Sequence, residues 1–116
     1  MTFDEKRKSP RVPVSMNVEK SDAFVTLGFG YAKNISEEGL AVDAEALVDP
    51  ALLPRLGDEV RMRFKLPKSQ FVITAIGKVV RVSTELTPPL FAFSFVGLLP
   101  EFRKEIRRYA STDRAA

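Results

Sequence analysis

The chain contains no cysteine, no histidine and no tryptophan among its 116 residues. Without cysteine it can form neither a disulfide nor a thiolate metal site, and without histidine it lacks the commonest metal ligand and general base. Asp43, Asp49, Asp58 and Glu59 do not compensate, since they form no spaced pair with a positioned nucleophile or metal partner. The sequence therefore predicts no catalytic residue, no metal site and no enzymatic activity.

Long apolar segments are also missing, because no run approaches the roughly 20 residues that a membrane span requires. Residues 1–6 mix acids and bases where a secretory signal has a basic start and an apolar stretch. We therefore expect a cytoplasmic protein without membrane insertion. A length of 116 residues, 45% of them hydrophobic, predicts one compact domain.

Positive charge is concentrated at the two ends of the chain. The net charge of +3 is too small to indicate a general nucleic-acid binder. The N-terminal cluster comprises Lys6, Arg7, Lys8 and Arg11, against Glu5. The C-terminal cluster comprises Arg103, Lys104, Arg107 and Arg108, against Glu101 and Glu105. For the second cluster we expect solvated cations, stabilised by the negative end of a helix dipole.

Alternating apolar and polar residues predict an all-β body. The six predicted strands are Val12–Val18, Phe24–Asn34, Gly39–Ala44, Asp58–Leu66, Phe71–Ser83 and Leu90–Gly97. Gly28, Gly30 and Gly77 interrupt two of these strands and predict bulges or sharp bends. The segment Glu45–Gly57 contains two prolines and is predicted to be a loop with room for one turn.

The last predicted strand is followed by an amphipathic helix. Phe91, Phe93 and Phe95 share one face of the strand, and burial in a core explains them better than base stacking. Pro100 suits the first helical position, and residues 111–113 are predicted to end the helix. Six strands and one helix predict a small six-stranded antiparallel β-barrel with one C-terminal α-helix.

Arg7 and Arg11 are separated by three residues in front of the first strand. Pro10 disfavours a helical conformation at Ser9, so residues 1–11 are predicted to form a flexible basic arm before a barrel domain at 12–116. Planar guanidinium groups can donate two parallel hydrogen bonds to phosphates or to the acceptor edge of guanine. Taken alone, however, arginines in a chain terminus are more often simply solvated.

Asn34, Ser36 and Gly39 lie on the predicted connection between the second and third strands, which we expect to be a corner exposed to solvent. Asn34 and Ser36 can donate and accept hydrogen bonds toward a base or a sugar, and Gly39 permits close approach of backbone. A hydrogen-bonded turn would explain the same three residues without any ligand.

The two motifs together resemble the PilZ domain family, bacterial receptors for cyclic di-GMP whose signature is an RxxxR arm followed by a [D/N]xSxxG segment. The resemblance implies a split-barrel-like fold with a C-terminal helix and cyclic di-GMP as ligand, with no cofactor. It also implies signalling through an unidentified effector protein in motility, biofilm or pilus regulation. The implied ligand-binding residues are Lys6, Arg7, Arg11, Asn34, Ser36 and Gly39. In this reading the arginines clamp phosphates and guanine acceptors, and the corner contacts the other guanine face and its ribose.

Three residues depart from the pattern that is common in the family. Lys6 stands where arginine is often found, at a position associated with binding one ligand or an intercalated pair, so the stoichiometry stays open. Ala92 stands where many members carry a glycine close to the ligand, and Asn34 replaces the commoner aspartate. The oligomeric state, a monomer or a ligand-dependent dimer, also stays open.

Two other functions fit parts of the sequence. Some PilZ-type domains do not bind nucleotide and act only as protein-interaction modules, although an intact RxxxR pattern argues against this alternative. A small basic barrel could also bind single-stranded nucleic acid, but that requires exposed aromatic side chains for stacking. Because the phenylalanines are predicted to face inward, no nucleic-acid polymer is expected as a partner.

Overall fold

The computed structural model describes residues 11–21, 26–44, 53–85 and 88–115. For residues 26–28 and 112–115 only the backbone is considered. The described elements are β1 (Val12–Ser21), β2 (Thr26–Ile35), β3 (Gly39–Ala44), β4 (Glu59–Lys65), β5 (Val72–Ser83), β6 (Leu90–Leu98) and α1 (Pro100–Ala115). Part of the predicted Glu45–Gly57 loop, residues 45–52, lies outside the described residues.

The six strands form a closed barrel in the order β1-β2-β3-β6-β5-β4. Every neighbouring pair is antiparallel. The barrel closes between β1 and β4, where Val18–Lys20 pairs with 62–64. The predicted fold class, a six-stranded antiparallel barrel with a C-terminal helix, is therefore confirmed.

The barrel interior is filled by the side chains that alternation predicted to point inward. Val60, Met62 and Phe64 of β4 are buried, while Glu59 and Arg61 are exposed. The phenylalanines of β6 behave in the same way, since Phe91 and Phe93 are almost completely buried. Phe29 packs against both rings, with centroid distances of 5.6 Å and 6.0 Å. The Phe stripe is thus part of the core.

The glycines mark irregular pairing, as predicted. The β1–β2 register shifts between Val18 and Glu19, which pair with Gly30 and Gly28, so Phe29 is an extra residue on β2. The β5–β6 register shifts between Ile76 and Gly77. Such bulges bend a strand and increase its twist, which helps a six-stranded sheet to close.

Helix α1 packs its apolar face against the barrel. Ile106 is fully buried, Phe102 and Tyr109 pack against the core, and the Tyr109 hydroxyl donates to the Pro13 carbonyl oxygen at 3.1 Å. The predicted helix end at residues 111–113 is wrong, because the helix continues to Ala115. Ser, Thr and Asp lower helix propensity by only about 0.5 kcal/mol each, and neither Gly nor Pro follows to stop the helix.

Strand ends differ from the predicted ones by a few residues, and β1 continues to Ser21 instead of ending at Val18. Across the segments that the structure describes, no helix has the length and apolar character needed to cross a membrane.

Candidate functional site

The Asn34–Gly39 motif forms a tight turn between β2 and β3. Asn34 belongs to the end of β2, and Gly39 is the first residue of β3. The backbone N–H of Ser36 donates to the Gly39 carbonyl oxygen at 2.8 Å, and the Glu38 N–H donates to the Ser36 Oγ at 3.1 Å. The serine therefore stabilises the turn through both its backbone and its side chain.

The expectation that the whole corner is exposed is wrong for Ser36 and Gly39. Ser36 is only 2% exposed, and Gly39 is buried. A Cβ atom at Gly39 would overlap the carbonyl oxygen of Phe93 on the neighbouring strand β6. Because the nearest atoms belong to backbone, the close approach that requires this glycine is the approach of β3 to β6.

Arg11 and Asn34 connect the two sequence motifs. The Arg11 Nη1 donates to the Asn34 Oδ1 at 2.9 Å, in a partly buried hydrogen bond. Arg11 directly precedes β1, whose Pro13 pairs with Asn34 in the β1–β2 ladder. One residue of each motif thus lies at the same place on the outside of the barrel. Lys6 and Arg7 lie outside the described residues.

A row of outward-facing side chains continues from Asn34 across the sheet. Asn34 pairs with Ala41 of β3, Ala41 pairs with Ala92 of β6, and Ala92 pairs with Arg81 of β5. We call these four residues the outer row. The row places Ala92 two strands from Asn34. Ala41 between them is buried, Ala92 is partly buried, and Arg81 is exposed. The sequence alone did not place Arg81 beside Ala92, since alternation predicts which side chains face outward but not which strands become neighbours.

The turn is also bonded to helix α1. Arg103 Nη1 donates to the carbonyl oxygen of Glu37 at 2.7 Å, and Arg107 donates to the Glu37 Oε1 from Nε at 3.1 Å and from Nη2 at 2.8 Å. Hydrogen bonding to the Glu37 carboxylate, together with the negative charge of Glu37, raises the pKa of Arg107 above its ordinary value. The expectation of purely solvated cations in α1 is therefore wrong for Arg103 and Arg107.

We predict that Arg103→Ala destabilises the protein more than Arg107→Ala. The Arg103 bond is partly buried, and its loss leaves a carbonyl oxygen without this charged donor, which costs about 1–2 kcal/mol. The Arg107 side chain is 60% exposed, so its ion pair is screened by water and contributes little. Urea unfolding of both variants, followed by circular dichroism, measures the difference. Equal losses in the two variants would contradict this assignment.

A second concave region among the described residues lies away from the motif residues. A cavity of about 570 Å³ lies beside β1 and the β4–β5 turn, with Met16, Phe64 and Lys68 among its lining residues, and Arg11, Asn34, Ser36 and Gly39 do not line it. No group of three or more Asp or Glu side chains within the described ranges is placed to hold a metal ion.

Comparison with known structures identifies proteins with a similar fold. The Bacillus subtilis inhibitor of motility MotI/DgrA matches with a TM-score of 0.76 at 16% identity, over 95% of this chain and 52% of that protein. The PilZ domain of Escherichia coli YcgR, with c-di-GMP, matches with a TM-score of 0.69 at 17% identity, over 95% of this chain and 92% of that domain.

A second YcgR structure, a complex with c-di-GMP, gives a TM-score of 0.71 at 16% identity, over 95% of this chain and 47% of that one. The chain thus spans about half the length of MotI/DgrA and of this YcgR chain. At such low identity, these similarities establish the fold alone. No match was found among curated protein sequences.

The family comparison covers more than the barrel. The model of the PilZ domain matches residues 5–111, a range that includes Arg7 and Arg11, the Asn34–Gly39 turn, all six strands and most of α1. This match confirms the resemblance inferred from the two motifs. The chain belongs to the PilZ domain family.

Proposed function

We propose that this protein is a cyclic di-GMP receptor that signals through a partner protein. The observation that carries the proposal is the hydrogen bond between Arg11 and Asn34, which brings the two motifs together on the outside of the barrel. Similar structures support the proposed ligand, since the YcgR PilZ domain is described with c-di-GMP. The described role of MotI/DgrA as an inhibitor of motility supports a regulatory output of the same kind.

The proposed ligand-binding residues act in two different ways. Arg7 and Arg11 donate to the phosphates and to the O6 and N7 acceptors of guanine, for which a planar guanidinium is well suited. Asn34 offers an amide to the ligand next to Arg11, and Lys6 adds positive charge. Ser36 and Gly39 contribute mainly by shaping the turn, since both are buried.

The proposed mechanism is an ordering of the N-terminal arm. Lys6, Arg7, Lys8 and Arg11 carry four positive charges within six residues, and these charges repel each other. A dianionic ligand relieves this repulsion and gives the arm a defined position over the barrel. A partner protein then reads the new surface. No covalent bond is made or broken, so the proposed function is binding and not catalysis.

The partner and the cellular setting follow from the ligand. Cyclic di-GMP is an intracellular second messenger, and a receptor for it acts in the cytoplasm on an effector protein in motility, biofilm or pilus regulation. The connection from the turn to α1 through Arg103 and Arg107 offers one route by which ligand binding reaches a surface distant from the arm. Whether ligand binding also drives dimerisation is measured by light scattering with and without ligand.

The proposal predicts that Arg7→Ala and Arg11→Ala each weaken cyclic di-GMP binding. Charged hydrogen bonds contribute roughly 1.5–3 kcal/mol, so each substitution should raise the Kd by about tenfold or more. Isothermal titration calorimetry measures the Kd, with GTP as a control ligand. Arg61→Ala is the matched control, because Arg61 is an exposed arginine of β4 that faces outward and lies outside both motifs.

Three outcomes are informative. Binding that is selective for cyclic di-GMP and at least about tenfold weaker in both variants supports the receptor function and its site. Unchanged binding in both variants would mean that the assigned site is wrong. The ratio of ligand to protein in the same titration decides whether Lys6 accompanies one bound ligand or an intercalated pair.

A ligand-independent interaction module is the second candidate function. The observation in its favour is that Ser36 and Gly39 have structural roles without a ligand: one caps the turn and the other permits contact between β3 and β6. A domain that had lost nucleotide binding would keep both residues for its fold. Absence of any heat with the parent protein at high micromolar cyclic di-GMP would favour this function.

A further inference from the structure

We propose that the cavity of about 570 Å³ beside β1 and the β4–β5 turn is a docking groove for an acidic, extended segment of a partner protein. We call this cavity the basic groove, because three cationic side chains line it against one carboxylate. The cations are Arg63, Lys65 and Lys68, and the carboxylate is Glu19. No described residue of the two sequence motifs lines the groove. This docking therefore does not depend on the proposed cyclic di-GMP binding.

The basic groove lies where two strands of the barrel separate. β1 pairs with β4 only over residues 18–20, which face residues 62–64. In the same register Met16 would lie opposite Leu66, but β4 has already ended there. β1 continues beyond the last pair, so its first half has no described strand beside it on the β4 side. The groove occupies this gap, with residues 15–17 as its β1 wall.

The β4–β5 turn forms the opposite wall and brings Lys68 into the groove. The Ser69 N–H donates to the Leu66 carbonyl oxygen at 3.1 Å, which closes a β-turn with Pro67 and Lys68 at its centre. Lys68 has a φ of 64°, and this turn position usually holds glycine or asparagine. Among the described residues, no other non-glycine residue has a positive φ. Glycine would be less strained here, but it would not supply a charge to the groove.

The spacing of the cations fits carboxylates on an extended peptide. Arg63 and Lys65 both point outward from β4, because Phe64 between them is buried. They are two residues apart on one strand, a separation of about 6.8 Å. Alternate side chains of an extended peptide have the same separation and lie on one side. A segment with an acidic residue at every second position can therefore place one carboxylate beside each of these cations.

The charges of the groove are not used within the described part of the barrel. Arg63, Lys65 and Lys68 form no ion pair and no side-chain hydrogen bond there. Glu19 pairs with Arg63 in the β1–β4 ladder, but the two side chains form no salt bridge. Three cations and one carboxylate leave an excess of two positive charges. Such a concentration of one sign of charge attracts a partner of the opposite sign.

The backbone and the side chains of the groove favour a peptide over a nucleic-acid strand. The side of β1 that faces the groove at residues 15–17 is a strand edge, to which an extended peptide can form main-chain hydrogen bonds. Single-stranded nucleic acid requires aromatic rings on which its bases stack. Phe64 is the only aromatic residue among those that line the groove, and it is 3% exposed. An acidic peptide therefore fits the groove better.

The test is fluorescence anisotropy with a short labelled peptide in which glutamate and valine alternate, measured without cyclic di-GMP. We expect the charge-reversed variant Lys65→Glu/Lys68→Glu to bind this peptide at least about tenfold more weakly, because each substitution turns an attraction into a repulsion. The control is Lys78→Glu/Lys104→Glu, which makes the same change in net charge at two exposed lysines outside the groove. This control should bind like the parent.

Lys68→Gly separates binding from folding. Loss of one exposed cation should weaken binding of the acidic peptide about two- to fivefold. The same substitution should not lower the Tm, because glycine adopts a φ of 64° without strain. Circular dichroism measures the Tm. If Lys68 had only a structural role in the turn, the substitution would change the Tm and leave the Kd unchanged, and the role of Lys68 in docking would be wrong.

Two further probes decide which partner the groove accepts. A peptide with lysine in place of glutamate should not bind. Equal binding of the acidic and basic peptides, no binding of the acidic peptide, or unchanged binding in the charge-reversed variant would each overturn the proposal. An oligothymidylate that binds more tightly than the acidic peptide, and more weakly to the charge-reversed variant, would make the groove a nucleic-acid surface instead. The cyclic di-GMP titrations are separate measurements, so the two proposals fail independently.

Discussion

Gly39→Ala is expected to destabilise the protein by about 3 kcal/mol, the upper part of the usual range for overpacking. The added Cβ would overlap the carbonyl oxygen of Phe93 and approach the Ser94 Cα, both of them backbone atoms of β6. Backbone cannot swing aside as the end of a flexible side chain can. The overlap can therefore be relieved only if β3 and β6 move apart where they pair with each other.

Gly57→Ala provides the matched control for Gly39→Ala. Gly57 has a φ of 91°, which an L-residue tolerates poorly, but a Cβ atom there would have no neighbour within 4 Å. The Gly57→Ala variant is therefore expected to lose stability only through backbone strain, by about 1–2 kcal/mol. Urea unfolding of the two variants gives the comparison. A Gly39→Ala variant as stable as the parent would mean that β3 and β6 do not approach as closely as the structure shows.

Gly39 variants change the fold as well as any ligand contact, because the added Cβ meets backbone of β6. If the proposed cyclic di-GMP binding is lost in a Gly39 variant, disruption of the β3–β6 contact alone is sufficient to explain the loss. Ser36 variants also change the fold, because the Ser36 hydroxyl accepts a hydrogen bond from the Glu38 N–H within the turn. A variant of Arg11 separates binding from folding more cleanly, because Arg11 precedes β1 and its side chain bonds to Asn34 on the outside of the barrel.

Much of the fold was predictable because its signals are local. Alternation over Asp58–Leu66 predicted both the strand that the structure has at Glu59–Lys65 and its inward face. The Phe stripe of β6 predicted core positions, and Phe91 and Phe93 are buried there. Gly28, Gly30 and Gly77 predicted irregular pairing, since a strand tolerates glycine best where it bulges or bends. Each of these inferences needs only residues that are neighbours in the sequence.

The parts that were missed depend on contacts between distant segments. Nothing near Ser36 in the sequence indicates that this serine is buried, because its burial results from the surrounding elements of the folded barrel. The bonds from Arg103 and Arg107 to Glu37 join residues that are 66 and 70 positions apart. Arg81 enters the outer row only through the β3–β6 and β5–β6 pairings. Such partners are set by the barrel order, which local patterns do not encode.

Ile106→Ala is expected to destabilise the whole protein by about 3 kcal/mol, within the usual range for truncating a buried isoleucine. Ile106 is fully buried in the core cluster that also includes strand residues, so its truncation leaves a cavity between α1 and the barrel. If α1 is part of one cooperative unit, helix and barrel unfold in the same transition. The far-ultraviolet circular dichroism signal during urea unfolding reports both.

The control for Ile106→Ala is Leu99→Ala, which truncates an aliphatic side chain that is 52% exposed just before α1. Its cost should be well below that of Ile106→Ala, since less apolar surface is removed from a packed environment. Similar costs for both variants would indicate that α1 does not pack on the barrel as described. A separate early transition in Ile106→Ala would show instead that the helix can detach while the barrel persists. In that case Arg103 and Arg107 would leave the Glu37 turn with it, and the connection between the proposed ligand site and α1 would be a reversible contact.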